Sequence, residues 1–269
     1  MIGGGTMGRG IAGVAIAAGM PTTLVDVDDE ALERAREAVA ARLERDGVAD
    51  RLESLSLSTS VEEGVAGAEA VIEAVPELLD LKRKTFARIA SAAAPGALLA
   101  TNTSTMSVTR IGEGAGDSPR VIGMHFFNPV HRMPLVEVVV GRHTSEPTVA
   151  DALALVRALG KEPIVVQDVP GFVTSRLGLL LGNEAMRIVE EGIASAEDVD
   201  KAMKLGYRHP MGPLELADLV GLDARLNNVR SMYDQSGLEQ YRPPAILERL
   251  VEEGKLGRKS GAGFYEYDG

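Results

Sequence analysis

The sequence predicts an α/β domain with a parallel sheet, followed by an all-helical domain. In the first part of the chain, short apolar segments alternate with longer stretches rich in Ala, Leu, Glu and Arg, which lose little entropy in a helix. After Gly171 the strand signal stops, and helix follows helix with turn residues between them. Alternation of strands and helices is typical of a parallel sheet covered by helices. We therefore expect two domains, residues 1–168 and residues 171–269.

The elements follow from local residue patterns. Strands are predicted where short apolar runs are bounded by turn residues, at 22–27, 70–75, 98–101, 121–125, 135–140 and 164–167. Helices are predicted at 7–18, 29–45, 78–93 and 146–159. In the second domain Ser195 is expected to cap a helix that runs to Leu205. Pro213 is expected to begin another that Gly221 ends, because Pro suits a first helical turn and Gly the left-handed position after the last.

Composition excludes several classes of protein. The 269 residues contain no cysteine, so a disulfide framework, a thiolate metal site and a cysteine nucleophile are excluded, and we expect no metal site. The net charge of -11 opposes the basic surface of a nucleic-acid binder. No apolar run approaches the roughly 20 residues that cross a bilayer, and the first residues do not resemble an export signal. We expect a cytoplasmic protein with no nucleic-acid or membrane partner.

A glycine cluster stands close to the start of the chain. Residues 3–8 (GGGTMG) fit the pattern G-x-G-x-x-G, in which the glycines allow a tight turn, approach of a pyrophosphate and close helix packing. The alternative is a glycine-rich flap. The expected contacts of a bound dinucleotide are Gly3, Gly5, Thr6, Met7 and Gly8.

Asp26 ends the strand that follows this loop and its helix. An acid about 20 residues after the glycines accepts hydrogen bonds from the adenosine ribose and repels a 2′-phosphate, which favours NAD over NADP. The alternative is that Asp26 caps the next helix, although Asp28 or Asp29 can do so instead. We therefore predict a Rossmann-type domain with NAD as cofactor.

Oxidation of an alcohol by hydride transfer requires a base for the hydroxyl proton, and histidine titrates in the useful range. His125 ends a predicted strand, and ligands bind at the carboxyl ends of strands in open α/β sheets. His131, His143 and His209 lie in polar loops or beside a turn, where surface or structural roles are expected. His125 is therefore the predicted base.

Glu137 is the predicted partner of His125. It interrupts the apolar strand at 135–140, where an ionised carboxylate costs several kcal/mol unless it is paired. A carboxylate on the far ring nitrogen would orient the imidazole and stabilise its protonated form. The alternative is an edge-strand glutamate that faces water.

Polar residues also follow the predicted strand at 98–101. Asn102, Thr103, Ser104 and Thr105 offer amide and hydroxyl groups that suit a substrate oxygen or a nicotinamide carboxamide. The same groups are equally suited to cap the next helix. From the residues alone both interpretations stay open.

Together these motifs resemble the L-3-hydroxyacyl-CoA dehydrogenase family, over essentially the whole chain. Besides the glycine loop with Asp26, the matching segments are 72–77 (IEAVPE), 101–104 (TNTS), 125–129 (HFFNP), 135–138 (LVEV), 170–172 (PGF), 203–213 (MKLGYRHPMGP) and 261–265 (GAGFY). Seven motifs in the right order are far more specific than the glycine loop alone.

The resemblance implies a function and roles for residues. It implies reversible NAD-dependent oxidation of (S)-3-hydroxyacyl-CoA, with short-chain 3-hydroxybutyryl-CoA the expected substrate, to 3-oxoacyl-CoA in fatty-acid metabolism. It also implies a homodimer formed through the helical domain. The family's catalytic histidine and glutamate fall on His125 and Glu137, its substrate-contacting serine on Ser104, and its cofactor-side glutamate and lysine on Glu77 and Lys82.

Two features depart from the family pattern. Where the family has Asn after Pro-Gly-Phe, this chain has Ser175, which offers one hydroxyl in place of an amide, so the substrate carbonyl or His125 is expected to be held differently. The helical hairpin that in relatives helps to bind CoA is expected to be compressed into residues 31–56. Contacts to the CoA nucleotide are therefore the least transferable.

Two other functions stay open from the sequence. A dehydrogenase of a free hydroxy acid, similar to the lambda-crystallin-like enzymes, would keep the same histidine and glutamate. A catalytically silent dinucleotide-binding protein would bind NAD without turnover, and Ser175 favours this alternative. Separately, only Met1 and Ile2 precede the glycines, where a first strand usually supplies about five or six residues. We therefore expect the numbered start to lie inside the native first strand.

Overall fold

Two units make up the chain in the computed structural model, Met1–Phe172 and Val173–Gly269, and residues 1–267 are described. The strands all belong to the first unit and are β1 (Thr22–Val25), β2 (Leu55–Ser58), β3 (Ala70–Glu73), β4 (Leu98–Thr101), β5 (Val121–Phe126), β6 (Leu135–Val140) and β7 (Glu162–Gln167). Its α-helices are α1 (Thr6–Ala17), α2 (Asp29–Arg45), α3 (Val61–Val65), α4 (Leu79–Ala92), α5 (Val108–Gly112) and α6 (Glu146–Ala158).

The strands form two hydrogen-bonded groups that Ile2 joins. β1 pairs with β2, while the second group has the order β3-β4-β5-β6-β7. Ile2 makes parallel bridges to Val25 of β1 and Glu73 of β3, so it lies between the two groups. A sheet of this kind followed by a helical region confirms the predicted fold class.

One strand direction departs from the parallel prediction. β6 runs antiparallel to β5, and β7 runs parallel to β6. The reason is the connection: residues 127–134 are fewer than the dozen or more that a parallel crossover requires, whereas an antiparallel return can be short.

Helices cover both faces of the sheet, which explains the near-continuous apolar strands. Leu99 of β4 belongs to the cluster that contains Phe86 of α4. Ile122 of β5 belongs to the opposite cluster, with Ile11 of α1 and Val156 of α6. Alternate strand residues therefore pack against different helical layers.

The segment between β1 and β3 differs from its prediction. Residues 31–56 do not form a compressed helical hairpin: α2 is followed by a short 3₁₀ helix, Ala49–Ser54, and Ser56 already lies in β2. Three elements of the structure, β2, α3 and α5, were not predicted. Asp28 is the N-cap of α2 and accepts a hydrogen bond from the Glu30 amide at 3.0 Å, so Asp26 is not needed there.

The second unit is helical, with α7 (Thr174–Glu190), α8 (Ala196–Gly206), α9 (Pro213–Val220), α10 (Leu222–Ser236) and α11 (Ala245–Glu252). Ser195 caps α8 by accepting from the Asp198 amide at 3.1 Å, as predicted. α9 begins at Pro213 and ends before Gly221, whose φ of 101° favours glycine. No helix among residues 1–267 is long and apolar enough to span a membrane.

Two buried aspartates hold this unit together. Asp200 accepts from the Leu214 and Glu215 amides at 2.8 Å each and from the Tyr265 hydroxyl at 2.7 Å. Asp218 accepts from the amides of Phe264 and Tyr265 and from the hydroxyl of Tyr267, all at 3.0 Å.

The glycines of the two late motifs make room for these carboxylates. A Cβ at Gly212 would collide with the Asp200 side chain, and one at Gly263 with the Asp218 side chain. One glycine in each of the motifs at 203–213 and 261–265 is therefore explained by packing against a buried acid.

Candidate active site

The glycine loop leaves the start of α1 open. Gly3 has a φ of 98°, and a Cβ there would lie 2.7 Å from the carbonyl oxygen of Ala74. A Cβ at Gly8 would collide with the Gly3 carbonyl oxygen. Gly5, the N-cap of α1, faces open space and supplies no side-chain cap. The first amides of α1 are therefore available to an anion, as a pyrophosphate requires.

Asp26 is fixed beside this loop. Its Oδ2 accepts from the Gly4 amide at 2.7 Å and its Oδ1 from the Val27 amide at 2.8 Å. Each carboxylate oxygen retains a lone pair for a further donor. The carboxylate can therefore accept a ribose hydroxyl, and it would repel a phosphate at the same place.

A cavity of about 660 Å³ runs from Asp26 past the glycine loop to the ends of β3 and β4. The predicted cofactor and substrate residues on its wall are Gly3, Gly5, Thr6, Met7, Asp26, Glu77, Asn102 and Ser104. Gly8 and Lys82 lie behind the wall: Gly8 is buried under the loop and Lys82 is 1% exposed. The size, the open amides and the carboxylate fit a dinucleotide.

A buried ion-pair network supports one end of this cavity. Lys82 Nζ lies 2.8 Å from Glu73 Oε1 and 3.4 Å from Glu77 Oε2, and it also donates to the Val75 carbonyl oxygen at 3.1 Å. Glu73 is fully buried and accepts in addition from the Val75 amide at 2.6 Å and the Thr101 hydroxyl at 2.7 Å.

Glu77 connects this ion-pair network to the loop after β4. Its Oε1 accepts from the Ser104 amide at 2.7 Å and from the Thr103 hydroxyl at 2.9 Å. Asn102 is buried, and its Oδ1 accepts from the Phe126 amide at 2.8 Å, next to His125. The alternative role for residues 102–105 was to cap the next helix. That helix is α5, and its cap is Ser107.

His125 and Glu137 face each other across the antiparallel pair β5–β6. They are register partners, so their side chains project on the same face. His125 Nδ1 lies 2.7 Å from Glu137 Oε2, and the glutamate is fully buried. Glu137 is therefore not an edge residue facing water, since β6 also pairs with β7.

Aromatic rings enclose this pair. The ring centroid of Phe127 lies 4.5 Å from that of His125, and that of Phe172 lies 5.9 Å away. Phe172 has a φ of 46°, which is uncommon outside glycine. An apolar surround lowers the local dielectric and strengthens the interaction between the imidazole and the carboxylate.

The structure shows a second, basic groove that sequence reasoning missed. It has a volume of about 650 Å³ and lies against α1, α2 and the Asn128–Pro129 turn that follows Phe127. Its charged wall consists of the cationic residues Arg9, Arg42, Arg45, His131 and Lys161, together with Asp46, which forms an ion pair with Arg42. These residues are spread over four separate segments of the chain, so no local motif in the sequence indicates them.

Two groups in this basic groove have perturbed pKa values. Burial, followed by the charges of Arg42, Arg132 and Arg45, lowers the pKa of His131. Burial and Arg42 also lower the pKa of Lys161, whose ammonium donates to the carbonyl oxygens of Val130 and Met133 at 2.6 and 2.9 Å. An anion in the groove would relieve this mutual repulsion.

The remaining predicted residues have separate locations. Ser175 lies in the first turn of α7, in the second unit. His143 lies 3.8 Å from Asp117, and the rings of His209 and Tyr207 are 6.5 Å apart. Among residues 1–267, no group of three or more His, Asp and Glu side chains is arranged to hold a metal ion.

These features define a class: a dinucleotide-binding oxidoreductase with a histidine–glutamate pair at the carboxyl end of a sheet strand. Residues 1–169 match the family described as 3-hydroxyacyl-CoA dehydrogenase, NAD binding domain, and residues 171–267 match its C-terminal domain. The chain belongs to the 3-hydroxyacyl-CoA dehydrogenase family, and its cofactor is NAD. The resemblance read from the sequence is thereby confirmed.

Individual relatives are similar over nine-tenths or more of their length. A probable 3-hydroxybutyryl-CoA dehydrogenase of Bacillus subtilis is 42% identical, over 99% of this chain and 96% of that protein. The mitochondrial hydroxyacyl-coenzyme A dehydrogenase of Rattus norvegicus is 39% identical, over 99% and 90%. The crystal structure of an (S)-3-hydroxybutyryl-CoA dehydrogenase from Ralstonia eutropha is 39% identical with a TM-score of 0.94, covering 100% of this chain and 98% of that one.

Proposed function

We propose that the protein reversibly oxidises short-chain (S)-3-hydroxyacyl-CoA, in particular 3-hydroxybutyryl-CoA, to 3-oxoacyl-CoA with NAD. The observation that carries this proposal is the buried hydrogen bond between His125 Nδ1 and Glu137 Oε2. Removal of a proton from an alcohol requires a base, and a histidine that is oriented by a carboxylate can act as that base.

The residues around the 660 Å³ cavity are suited to hold the cofactor. Asp26 would bind the adenosine ribose, the amides at the start of α1 the pyrophosphate, and Asn102 and Glu77 would lie at the nicotinamide end. When bound, NAD⁺ supplies the hydride acceptor. The chain's own task is to position the substrate and move one proton.

His125 carries out the proton transfer in this proposal. Its Nδ1–H donates to Glu137, which leaves Nε2 as the ring nitrogen that accepts the proton of the 3-hydroxyl. The carboxylate then stabilises the positive imidazolium. In the reverse direction the imidazolium returns the proton to the oxygen of the 3-oxo group.

Two serines are proposed to orient the substrate. Ser104 is exposed beside the cofactor cavity, and its backbone is fixed by Glu77, so its hydroxyl can donate to the reacting oxygen. Ser175 takes the place of the family's Asn. With one hydroxyl it offers fewer hydrogen bonds to a substrate carbonyl than an amide would.

The basic groove favours a CoA thioester over a free hydroxy acid. CoA carries several phosphate charges at its nucleotide end, whereas a free hydroxy acid carries one carboxylate. On a chain of net charge -11, a groove with several cations that begins at the turn after His125-Phe126-Phe127 is a suitable site for these phosphates. We therefore assign the groove to the CoA nucleotide.

The experiment that tests the function compares substrates and variants by NADH absorbance. We expect turnover of 3-hydroxybutyryl-CoA and little of free 3-hydroxybutyrate. His125→Ala is expected to lose about 10²- to 10⁴-fold in kcat, as for other general acid–base groups. Near-normal NADH formation by this variant would refute the role of His125. NAD binding without turnover of any hydroxyacyl substrate would instead support a silent binding protein.

Residues 1–168 are proposed as the NAD-binding domain and residues 171–269 as the substrate-cleft and dimerisation domain. The second unit exposes large apolar side chains on two helices: Leu177, Leu180, Leu216, Leu219 and Val220. An exposed apolar surface of this kind suits a homodimer interface. Sedimentation as a species of about 28 kDa at micromolar protein would contradict it. A cytoplasmic location and a role in fatty-acid metabolism stay predictions.

A further inference from the structure

We propose that the triad Glu73–Lys82–Glu77 makes the site discriminate between the two redox states of its cofactor, stabilising bound NAD⁺ relative to bound NADH through the charge of Glu77. The inference rests on the proposed function, because it takes the 660 Å³ cavity as the dinucleotide site and the ends of β3 and β4 as its nicotinamide end.

The triad holds one ammonium between two carboxylates. Lys82 Nζ is closer to Glu73, at 2.8 Å, than to Glu77, at 3.4 Å. Both Lys82 and Glu73 are essentially inaccessible, with 1% and 0% of their side chains exposed. The lysine therefore compensates the buried Glu73 first, and the triad as a whole carries one net negative charge.

The net negative charge of the triad is exposed to the cavity at Glu77. Its side chain is 41% exposed and belongs to the cavity wall. The Thr103 hydroxyl and the Ser104 amide, which donate to Glu77, are neutral. They hold the carboxylate in place without cancelling its charge.

The cofactor's two redox states differ in charge at the nicotinamide ring. The ring is positive in NAD⁺ and neutral in NADH, while the adenosine and pyrophosphate parts are identical. A fixed anion near the ring therefore stabilises NAD⁺ selectively. A carboxylate at the adenosine end, such as Asp26, contacts a part that does not change.

The test measures Kd for NAD⁺, NADH and ADP-ribose with the full-length protein. For Glu77→Gln, which keeps the shape and an acceptor for the Ser104 amide, we expect the ratio Kd(NADH)/Kd(NAD⁺) to fall about fivefold to tenfold, as expected for one unit charge at a few ångströms in a partly exposed site. ADP-ribose has no nicotinamide, so its Kd should change by less than about twofold. Glu77→Asp, which keeps the charge, should keep most of the ratio.

Two matched controls locate the effect. Asp26→Asn removes the same charge from the other end of the cavity and should weaken NAD⁺ and NADH together, with their ratio unchanged. Glu113→Gln removes a carboxylate that pairs with Arg83 at the surface and should change none of the constants.

The outcomes separate this inference from the proposed function. A parallel loss of affinity for NAD⁺, NADH and ADP-ribose in Glu77→Gln, or an unchanged ratio, would overturn the inference and leave the dinucleotide site standing. If the unmodified protein bound none of the three, the proposed function itself would fail. If Glu77→Gln folds poorly, Glu77→Asp still tests the inference. A fall of about fivefold to tenfold in Kd(NADH)/Kd(NAD⁺) for this variant, which keeps the charge, would overturn the inference.

Discussion

The first and second units both bury carboxylates, but they use them in opposite ways. Asp200 and Asp218 each accept two backbone amides and a tyrosine hydroxyl, all of them neutral donors fixed by the fold. Glu137 instead faces His125, a ring that can gain or lose a proton. The comparison shows that the partners of a buried acid, more than its burial, reveal its task.

Tyrosine pKa values show the structural character of the second unit. Burial, together with the hydrogen bond to Asp218, raises the pKa of Tyr267 to about 12, and burial and Asp200 raise the pKa of Tyr265 as well. Both phenols therefore stay protonated at neutral pH and remain donors.

Removing the charge of Glu137 should have the largest effect. Glu137→Gln keeps the shape but no longer stabilises the imidazolium, so kcat should fall by about 10²- to 10⁴-fold. The Kd for NAD should change little. Steady-state kinetics and a binding titration check this. A fall in kcat of less than threefold would mean that Glu137, like Asp200 and Asp218, has only a structural role.

The corresponding change in the second unit should affect stability. Asp218→Asn places an amide NH₂ where backbone amides donate, so we expect the free energy of unfolding to fall by about 2 to 3 kcal/mol. Urea unfolding measures it, with exposed Asp234→Asn as the control. If Asp218→Asn unfolded like the control, the three hydrogen bonds at Asp218 would not hold the unit together.

Removing cations from the basic groove should weaken binding of the CoA nucleotide. Arg42→Ala/Arg45→Ala should raise KM for 3-hydroxybutyryl-CoA by about tenfold, because each cation at the groove contributes up to about 1 kcal/mol to phosphate binding. The N-acetylcysteamine thioester lacks the nucleotide, and its KM should not change. Arg34→Ala/Arg36→Ala makes the same charge change on exposed positions of α2 and serves as control. Equal effects on both thioesters would remove the CoA assignment.

The smallest expected effect concerns pH. Because the pKa of His131 is lowered in the free protein and an anion favours the protonated ring, CoA binding should raise that pKa. CoA affinity should therefore increase a few-fold as the pH falls from neutral toward about 5, and decrease as the pH rises. Titrations of CoA at several pH values, with His131→Gln as the reference, check this. A reference variant with the same pH dependence would exclude His131.

Local patterns were enough for most of the fold and for part of the site. Predicted helices and strands were correct where apolar periodicity was long, as in α2 and β6. β2 was missed because a run of Leu55-Ser56-Leu57-Ser58 is short and half polar, and its apolar partners lie in other segments. The direction of β6 follows from the length of its connection to β5, because eight residues are too few for a parallel crossover.

Contacts between distant segments limited the rest. The pairing of Glu73 with Lys82 and Thr101 joins three segments, so the apolar run around Glu73 indicates a buried charge but does not identify its partners. The groove cations Arg9, Arg45 and Lys161 are equally dispersed. Charged residues at separate positions acquire a shared role only when the sheet order is known.

The antiparallel pairing of β5 with β6 also sets the position of Glu137 relative to His125. His125 faces Glu137 because the register of β5 and β6 places them opposite each other, and the side-chain period of a strand is two. A slip of β6 by one residue against β5 would turn Glu137 to the opposite face of the sheet, and a slip by two would shift it past the imidazole. A change that shifts this register should therefore abolish turnover even when every catalytic residue is retained.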